Sequence, residues 1–201
     1  DLPYAMSHGL KNEGAKITAQ LLETTDAMEV VNEILIPALD SAGKLFEQGK
    51  IFLPQLIQTA SVAQAAFEVI KTTLIERNAA PVSRGEIVLA TVKGDIHDIG
   101  KNIVRVLLEN YGYTVLDLGR DVPCQLVADT AKEHGVKLVG LSALMTTTLG
   151  AMEETIQLVK QSCPDCKIVV GGAVLTADYA EKIGADFYAK DAMETVAVAK
   201  E

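Results

Sequence analysis

Cysteine is scarce in this sequence of 201 residues: there are three, an odd number and too few for a disulfide framework in a chain of this length, which points to a reducing compartment. Long apolar runs are missing too. Nothing approaches the about 18 to 20 consecutive apolar residues that span a bilayer, and no basic-then-apolar leader opens the chain, so a cytoplasmic protein without a membrane partner is expected. Basic charge is short. Eighteen Lys and Arg stand against 27 Asp and Glu, a net charge of −9 spread without blocks, and with no basic face a nucleic-acid partner is not expected. Glycine (15) and proline (6) are few, and with 49% hydrophobic and 22% charged residues this excludes collagenous, low-complexity and disordered readings. What remains is a globular chain long enough for one large domain or two small ones. It starts at Asp1, not Met, as a piece cut from a longer chain would.

The texture changes near Ala79-Ala80-Pro81, which predicts domains over 1–80 and 81–201. From Leu2 to Arg77 apolar residues recur at helical spacing, as in Leu53, Leu56, Ile57, Ala60, Phe67, Ile70 and Leu74. This half reads as a four-helix bundle, with helices over 11–23, 26–48 and 53–76 and a shorter one before Gly9. Asp26 is the expected N-cap and Gly49 the expected stop, and Pro37 should kink or split the second long helix. From Glu86 onward, β-branched runs (87–92, 114–118, 137–141, 167–170, 186–188) alternate with amphipathic segments (98–111, 123–134, 147–161, 176–183, 191–200). Strand then helix, five times, predicts an α/β fold with a doubly wound five-stranded parallel sheet, which binds ligands at the carboxyl ends of its strands.

Three strand ends carry unusual chemistry. After the first strand, Gly94-Asp95-Ile96-His97-Asp98-Ile99-Gly100 stands where a dinucleotide fold would place G-x-G-x-x-G. The Asp-x-His spacing lets Asp95 accept a hydrogen bond from one imidazole nitrogen while the other faces outward, the arrangement of a ligand or base with its orienting partner. A helix-capping or solvated histidine is the bland alternative. After the third strand, Ser142, Thr146, Thr147 and Thr148 offer hydroxyls to a polar ligand, or cap the next helix. After the fourth, Gly171-Gly172-Ala173 either admits a flat ligand to the backbone or makes a tight turn. The fold gathers all three loops at one edge. A zinc site is disfavoured, because His8 and His134 lie outside these loops, whereas an axial ligand on a macrocyclic metal needs no companion.

Asp95-x-His97-x-x-Gly100, then Ser142-x-Leu144, then Gly171-Gly172, resembles the signature of cobalamin-binding domains, a Rossmann- or flavodoxin-like fold that holds the cofactor with its benzimidazole displaced and a protein histidine on cobalt. The segment from Leu45 to Leu56 resembles the helical cap of methyl-transferring corrinoid proteins. Thr91 to Asn102 and Tyr188 to Ala192 are similar to the cobalamin module of methionine synthase. The resemblance implies His97 as cobalt ligand, Asp95 as its hydrogen-bonded carboxylate, and Thr148 where that family has a serine completing a proton relay. It also implies a cofactor site made of Gly94, Ile96, Asp98, Gly100, Ser142, Leu144, Thr146, Gly171, Gly172 and Ala192, with Phe46, Leu53 and Leu56 of the cap shielding the upper face of the ring.

The function so implied is a shuttle carrying a methyl group as methylcobalamin from methyltetrahydrofolate to homocysteine, each held by a partner domain or subunit, with a reductive reactivation partner. The cap would have to move for transfer, hinged at Ala79-Ala80-Pro81-Val82-Ser83. One rival is a free-standing corrinoid protein of a methanol, methylamine or aryl-ether methyltransferase system. Another is a mutase domain, against which the cap residues argue, and a third is a cobalamin-dependent transcriptional sensor, which would need a DNA-binding module. Cys163-Pro164-Asp165-Cys166 has redox spacing but precedes a strand, where a thioredoxin-like pair would start a helix. Cys124 and the five methionines are expected to be core fillers, and Lys11, Lys16, Lys44 and Lys50 to be solvated.

Overall fold

The structure, a computed structural model, describes residues 1–77 and 83–201; the expected domain boundary and all but Ser83 of the expected hinge lie outside the described residues. The chain forms two compact units, one of Asp1–Arg84 with Glu109–Gly112, the other of Gly85–Leu108 with Tyr113–Glu201. Among the described residues no helix is long and apolar enough to cross a membrane.

The first unit is helical: α1 (Leu2–Ser7), α2 (Lys11–Leu21), α3 (Ala27–Glu29), a π-helical segment Val30–Leu35, α4 (Ile36–Glu47) and α5 (Leu53–Glu76). Asp26 caps α3 as expected, its carboxylate accepting from the Met28 N–H at 2.9 Å. The expected single helix over 26–48 is divided into α3, a π-helical segment and α4, with Pro37 in the first turn of α4. A proline ring collides with the carbonyl four residues back, and the chain makes room by widening the preceding turn, so that the Ile36 N–H bonds the Val31 carbonyl five residues earlier. Helices α2 and α5 pack closely at Gly14, where a Cβ would stand 2.4 Å from Val62 Cγ1. Met6 is core, as expected of the methionines, but Met28 is 44% exposed because it lies in the first turn after the Asp26 cap. The four lysines singled out on this unit are exposed.

The second unit alternates β1 (Glu86–Thr91), α6 (Ile99–Asn110), β2 (Thr114–Asp117), α7 (Cys124–His134), β3 (Leu138–Ser142), a 3₁₀ turn Thr146–Thr148, α8 (Leu149–Ser162), β4 (Lys167–Gly171), α9 (Ala177–Lys182), β5 (Phe187–Tyr188) and α10 (Ala192–Lys200). All strand pairings are parallel, in the order β2-β1-β3-β4-β5. This is the doubly wound arrangement, and its strand order reverses between β1 and β3, where such folds open a crevice. Because side chains alternate along a strand, Val88, Ala90, Val139, Leu141, Ile168 and Val170 point to one face and pack with Ala128 and Ala131 of α7 and Met152, Ile156 and Val159 of α8. The opposite row, Leu89, Gly140 and Val169, is in register across three strands. That row becomes part of the site.

Candidate functional site

The carboxyl ends of the strands and the Leu89–Gly140–Val169 row border a groove of about 660 Å³. Its wall includes Ile96, His97, Asp98, Gly100, Ser142, Leu144, Gly171, Gly172 and Ala192, so nine residues expected at the site from three separate loops and α10 meet around one space. Asp95 and Thr148 are not in the wall; they stand behind it.

Asp95 is fully buried, and its carboxylate accepts five hydrogen bonds. Oδ1 takes the His97 backbone N–H at 3.0 Å and His97 Nδ1 at 2.8 Å. Oδ2 takes the amides of Leu144 at 2.7 Å and Met145 at 3.2 Å, and the Thr148 hydroxyl at 3.1 Å. One side chain thus ties the loop after β1 to the loop after β3, across the point where the strand order reverses. Burial by itself would raise the Asp95 carboxyl, but the His97 and Leu144 amides, then the His97 ring and the Thr148 hydroxyl, outweigh it and hold the group well below the usual carboxylate range. An ionised carboxylate only accepts, so Nδ1 of His97 carries the proton and the lone pair sits on Nε2. The imidazole side chain is 47% exposed and belongs to the groove wall, so a basic nitrogen with a fixed tautomer is presented to a ligand.

The Thr148 hydroxyl is also 2.8 Å from the Met145 carbonyl, so its single proton has two acceptors within reach. Of the four hydroxyl residues expected at this strand end, Thr148 joins the Asp95 cluster, Ser142 lines the groove, and Thr146 and Thr147 belong to the 3₁₀ turn outside the groove wall. Gly94, with a positive φ of 85°, turns the chain before Asp95 and is not part of the wall.

The glycines divide into two kinds. A Cβ on Gly172 would stand 1.8 Å from the Ala143 carbonyl oxygen, and φ there is +138°, so the close passage of the β3 and β4 loops itself demands glycine. Gly100 is different. It lies in the first turn of α6, lines the groove, and a Cβ there would meet nothing within 4 Å. The fold does not need Gly100 to be small, and the observation fits a large flat ligand lying against the start of α6. Apolar side chains exposed beside it agree: Ile96 (60%), Ile99 (79%) and Leu144 (41%) share the groove wall with His97.

Some lining residues were not anticipated as site residues. Lys101 lines the groove yet is buried, its ammonium paired with Asp117 at the end of β2 and donating to Asn102 Oδ1 at 3.1 Å. Arg120, Tyr188, Lys190, Asp191 and Thr195 line it as well. The signal for them was available, because β2 and β5 end at the same sheet edge as the three loops singled out.

Phe46, Leu53 and Leu56 belong to the helical unit, where the first two are half-buried and Leu56 is 1% exposed. Cys163 and Cys166 lie between α8 and β4, ahead of a strand as expected. Cys124 is buried as expected, and burial, with Cys163 and Asp186 adding to it, pushes the Cys166 thiol up to about 11, away from the thiolate a redox centre uses. No cluster of three or more metal-ligating side chains occurs among the described residues.

Comparison with known proteins gives the same direction. Two family models described as B12 binding domain match residues 1–71 and 85–197. Dimethylamine corrinoid protein 1 of Methanosarcina acetivorans is 43% identical over 88% of this chain and 83% of its own length. Trimethylamine corrinoid protein 1 of Methanosarcina mazei is 38% identical over 92% of this chain and 88% of its own. Among solved structures, a cobalamin-binding protein of Desulfitobacterium hafniense has a TM-score of 0.80 at 32% identity, covering 100% of this chain and 97% of that one. A chain of the methanol:cobalamin methyltransferase complex of Methanosarcina barkeri has a TM-score of 0.84 at 27% identity, covering 99% and 78%.

Proposed function

The chain belongs to the B12-binding corrinoid proteins, with cobalamin as its cofactor, and from that premise we propose that it is a methyl carrier working with a methyltransferase subunit that acts on a methylamine. The methylamine relatives are corrinoid proteins of about this length, which supports the free-standing carrier over the methionine synthase module. Dimethylamine and trimethylamine relatives at 43% and 38% identity, against 27% for the methanol complex, favour an amine as the methyl source.

When bound, cobalamin would supply a cobalt centre able to accept and release a methyl group, and this chain's residues would bind and orient it. His97 Nε2 would hold the cobalt. Asp95 keeps the Nδ1 proton in place and the ring in one orientation, which strengthens Nε2 as a donor. The His97 and Leu144 amides, with the Thr148 hydroxyl, hold Asp95 ionised for that task. Ser142, Gly171 and Gly172 would line the slot that takes part of the cofactor, and Ile96, Ile99 and Leu144 would exclude water around the imidazole once the groove is filled.

The carrying observation is the 2.8 Å contact between Asp95 Oδ1 and His97 Nδ1, which leaves a single imidazole nitrogen facing the groove. The test is to reconstitute the chain with cobalamin, record its visible spectrum, and follow methylation with dimethylamine and a dimethylamine methyltransferase, or with methyltetrahydrofolate and methionine synthase domains. His97→Gly should shift the spectrum and slow methylation. Methylation by the folate system alone would overturn the amine reading, and an unchanged spectrum in His97→Gly would overturn the ligand assignment.

A further inference from the structure

Among the described residues, Asp121 alone combines a side chain with a left-handed backbone, at φ +50°. Such a conformation costs about 1 kcal/mol or more for an L residue and persists where surrounding contacts require it. The contacts here run to one place. Asp121 follows the end of β2, and its Oδ1 accepts the Gly94 N–H at 2.7 Å while its own N–H donates to the Asp95 carbonyl at 2.8 Å. One residue therefore grips the Gly94-Asp95 dipeptide by its first donor and its last acceptor. Around that grip the two loops run side by side, with Thr91 N–H to Gly119 O at 2.9 Å, Val122 N–H to Thr91 O at 3.1 Å, and a parallel bridge between Val92 and Val122.

We propose that Asp121 is a positioning residue for His97: by bracketing Gly94-Asp95 in a left-handed turn it sets where the imidazole stands. The Asp95 carboxylate fixes the loop from the β3 side, and Asp121 fixes it from the β2 side. With both in place the segment between β1 and α6 has one arrangement; with Asp121 removed, Gly94, free of side-chain constraint, can rotate and carry Asp95 and His97 with it. Asp121 is itself exposed, so packing does not account for its identity. Glycine would adopt the φ at no cost but would bring no acceptor. Asparagine would keep both the conformation and an acceptor oxygen.

This inference rests on His97 as the cobalt ligand, and the test separates the two. In the cofactor-free chain, amide hydrogen exchange at Gly94 reads the grip directly. In the cobalamin-loaded chain labelled with 15N-histidine and reduced to Co(II), the 15N hyperfine splitting of the electron spin resonance spectrum reads ligation by His97 apart from the cofactor's own nitrogen base. Asp121→Gly should speed Gly94 exchange and lower the histidine-ligated fraction relative to the unligated one, each by about tenfold, the scale of losing a supporting hydrogen bond behind a metal ligand. Asp121→Asn should restore both to within about threefold of the unsubstituted chain. If Asp121→Gly merely lowers the melting temperature and leaves exchange and splitting unchanged, the residue is structural and the proposal falls. Absence of 15N splitting in the unsubstituted chain would remove His97 as ligand, while the Gly94 exchange arm would still decide whether Asp121 holds the loop.

Discussion

Gly100 is where the residue scale speaks most directly about the cofactor. Glycine within a helix costs up to about 1 kcal/mol relative to alanine, and nothing lies within 4 Å of the space a Cβ would fill. Gly100→Ala should therefore stabilise the cofactor-free chain by about 0.5 to 1 kcal/mol, read as a raised melting temperature. The same substitution should weaken cobalamin binding by about tenfold or more, because the methyl group enters the groove. Equal cobalamin affinity would mean that the ligand does not lie against α6. The Asp95–His97 contact was open to the spacing, since a carboxylate two residues from an imidazole in a turn is within reach of Nδ1, and the resemblance to cobalamin-binding domains selected it over a capping or solvated histidine. Thr148 was not separable from Thr146 and Thr147 on the same grounds, since three adjacent threonines offer the same chemistry and only the 3₁₀ turn decides which hydroxyl faces inward.

The elements followed their periodicity because each is decided within a dozen residues. Pro37 marks the limit of that rule. The sequence carries a helix breaker, but helical residues on both sides and the packing of the bundle outweigh it, and the chain responds with a wider turn at Val30–Leu35. The loops after β3 and β4 show the reverse, an element geometry that a single residue enforces. With Ala143 O 1.8 Å from where a Gly172 Cβ would be, Gly172→Ala must push the two loops apart or rotate the peptide. We expect a loss of about 3 kcal/mol or more, seen in denaturant unfolding, together with loss of cobalamin binding. Unchanged stability would show that the loops accommodate a side chain by shifting. Taken with Gly100, the pair separates a glycine required by the chain from one required by the ligand.

At the scale of the whole molecule, the two units do not divide at one point in the sequence. Glu109–Gly112, at the end of α6, belongs to the compact unit otherwise made of Asp1–Arg84, and Tyr111 within it is 1% exposed. A fragment starting at Gly85 would carry Tyr111 without the residues that bury it. Leaving a large buried side chain exposed forfeits about 1.5 to 3 kcal/mol. At about 2 to 4 °C per kcal/mol, fragment 85–201 should melt at least about 3 °C below the corresponding transition of the intact chain in calorimetry. Coincident transitions would show that the sheet unit is self-sufficient.

Sequence by itself determined the alternation of strands and helices, the helical first unit, the three loops at one sheet edge and the Asp95–His97 pair, because each depends on spacing within a few residues. Tertiary structure alone decided what those loops meet. Asp121 reaches Gly94 across 27 positions, Lys101 of α6 is neutralised by Asp117 of β2, and Thr148 reaches Asp95 across 53, a partner that only the resemblance had implied. It also decided that the groove extends from the sheet edge down the Leu89–Gly140–Val169 row, which depends on the strand order β2-β1-β3-β4-β5. No local pattern carries such contacts. They arise when a parallel sheet brings the ends of strands far apart in the chain to about 5 Å from one another.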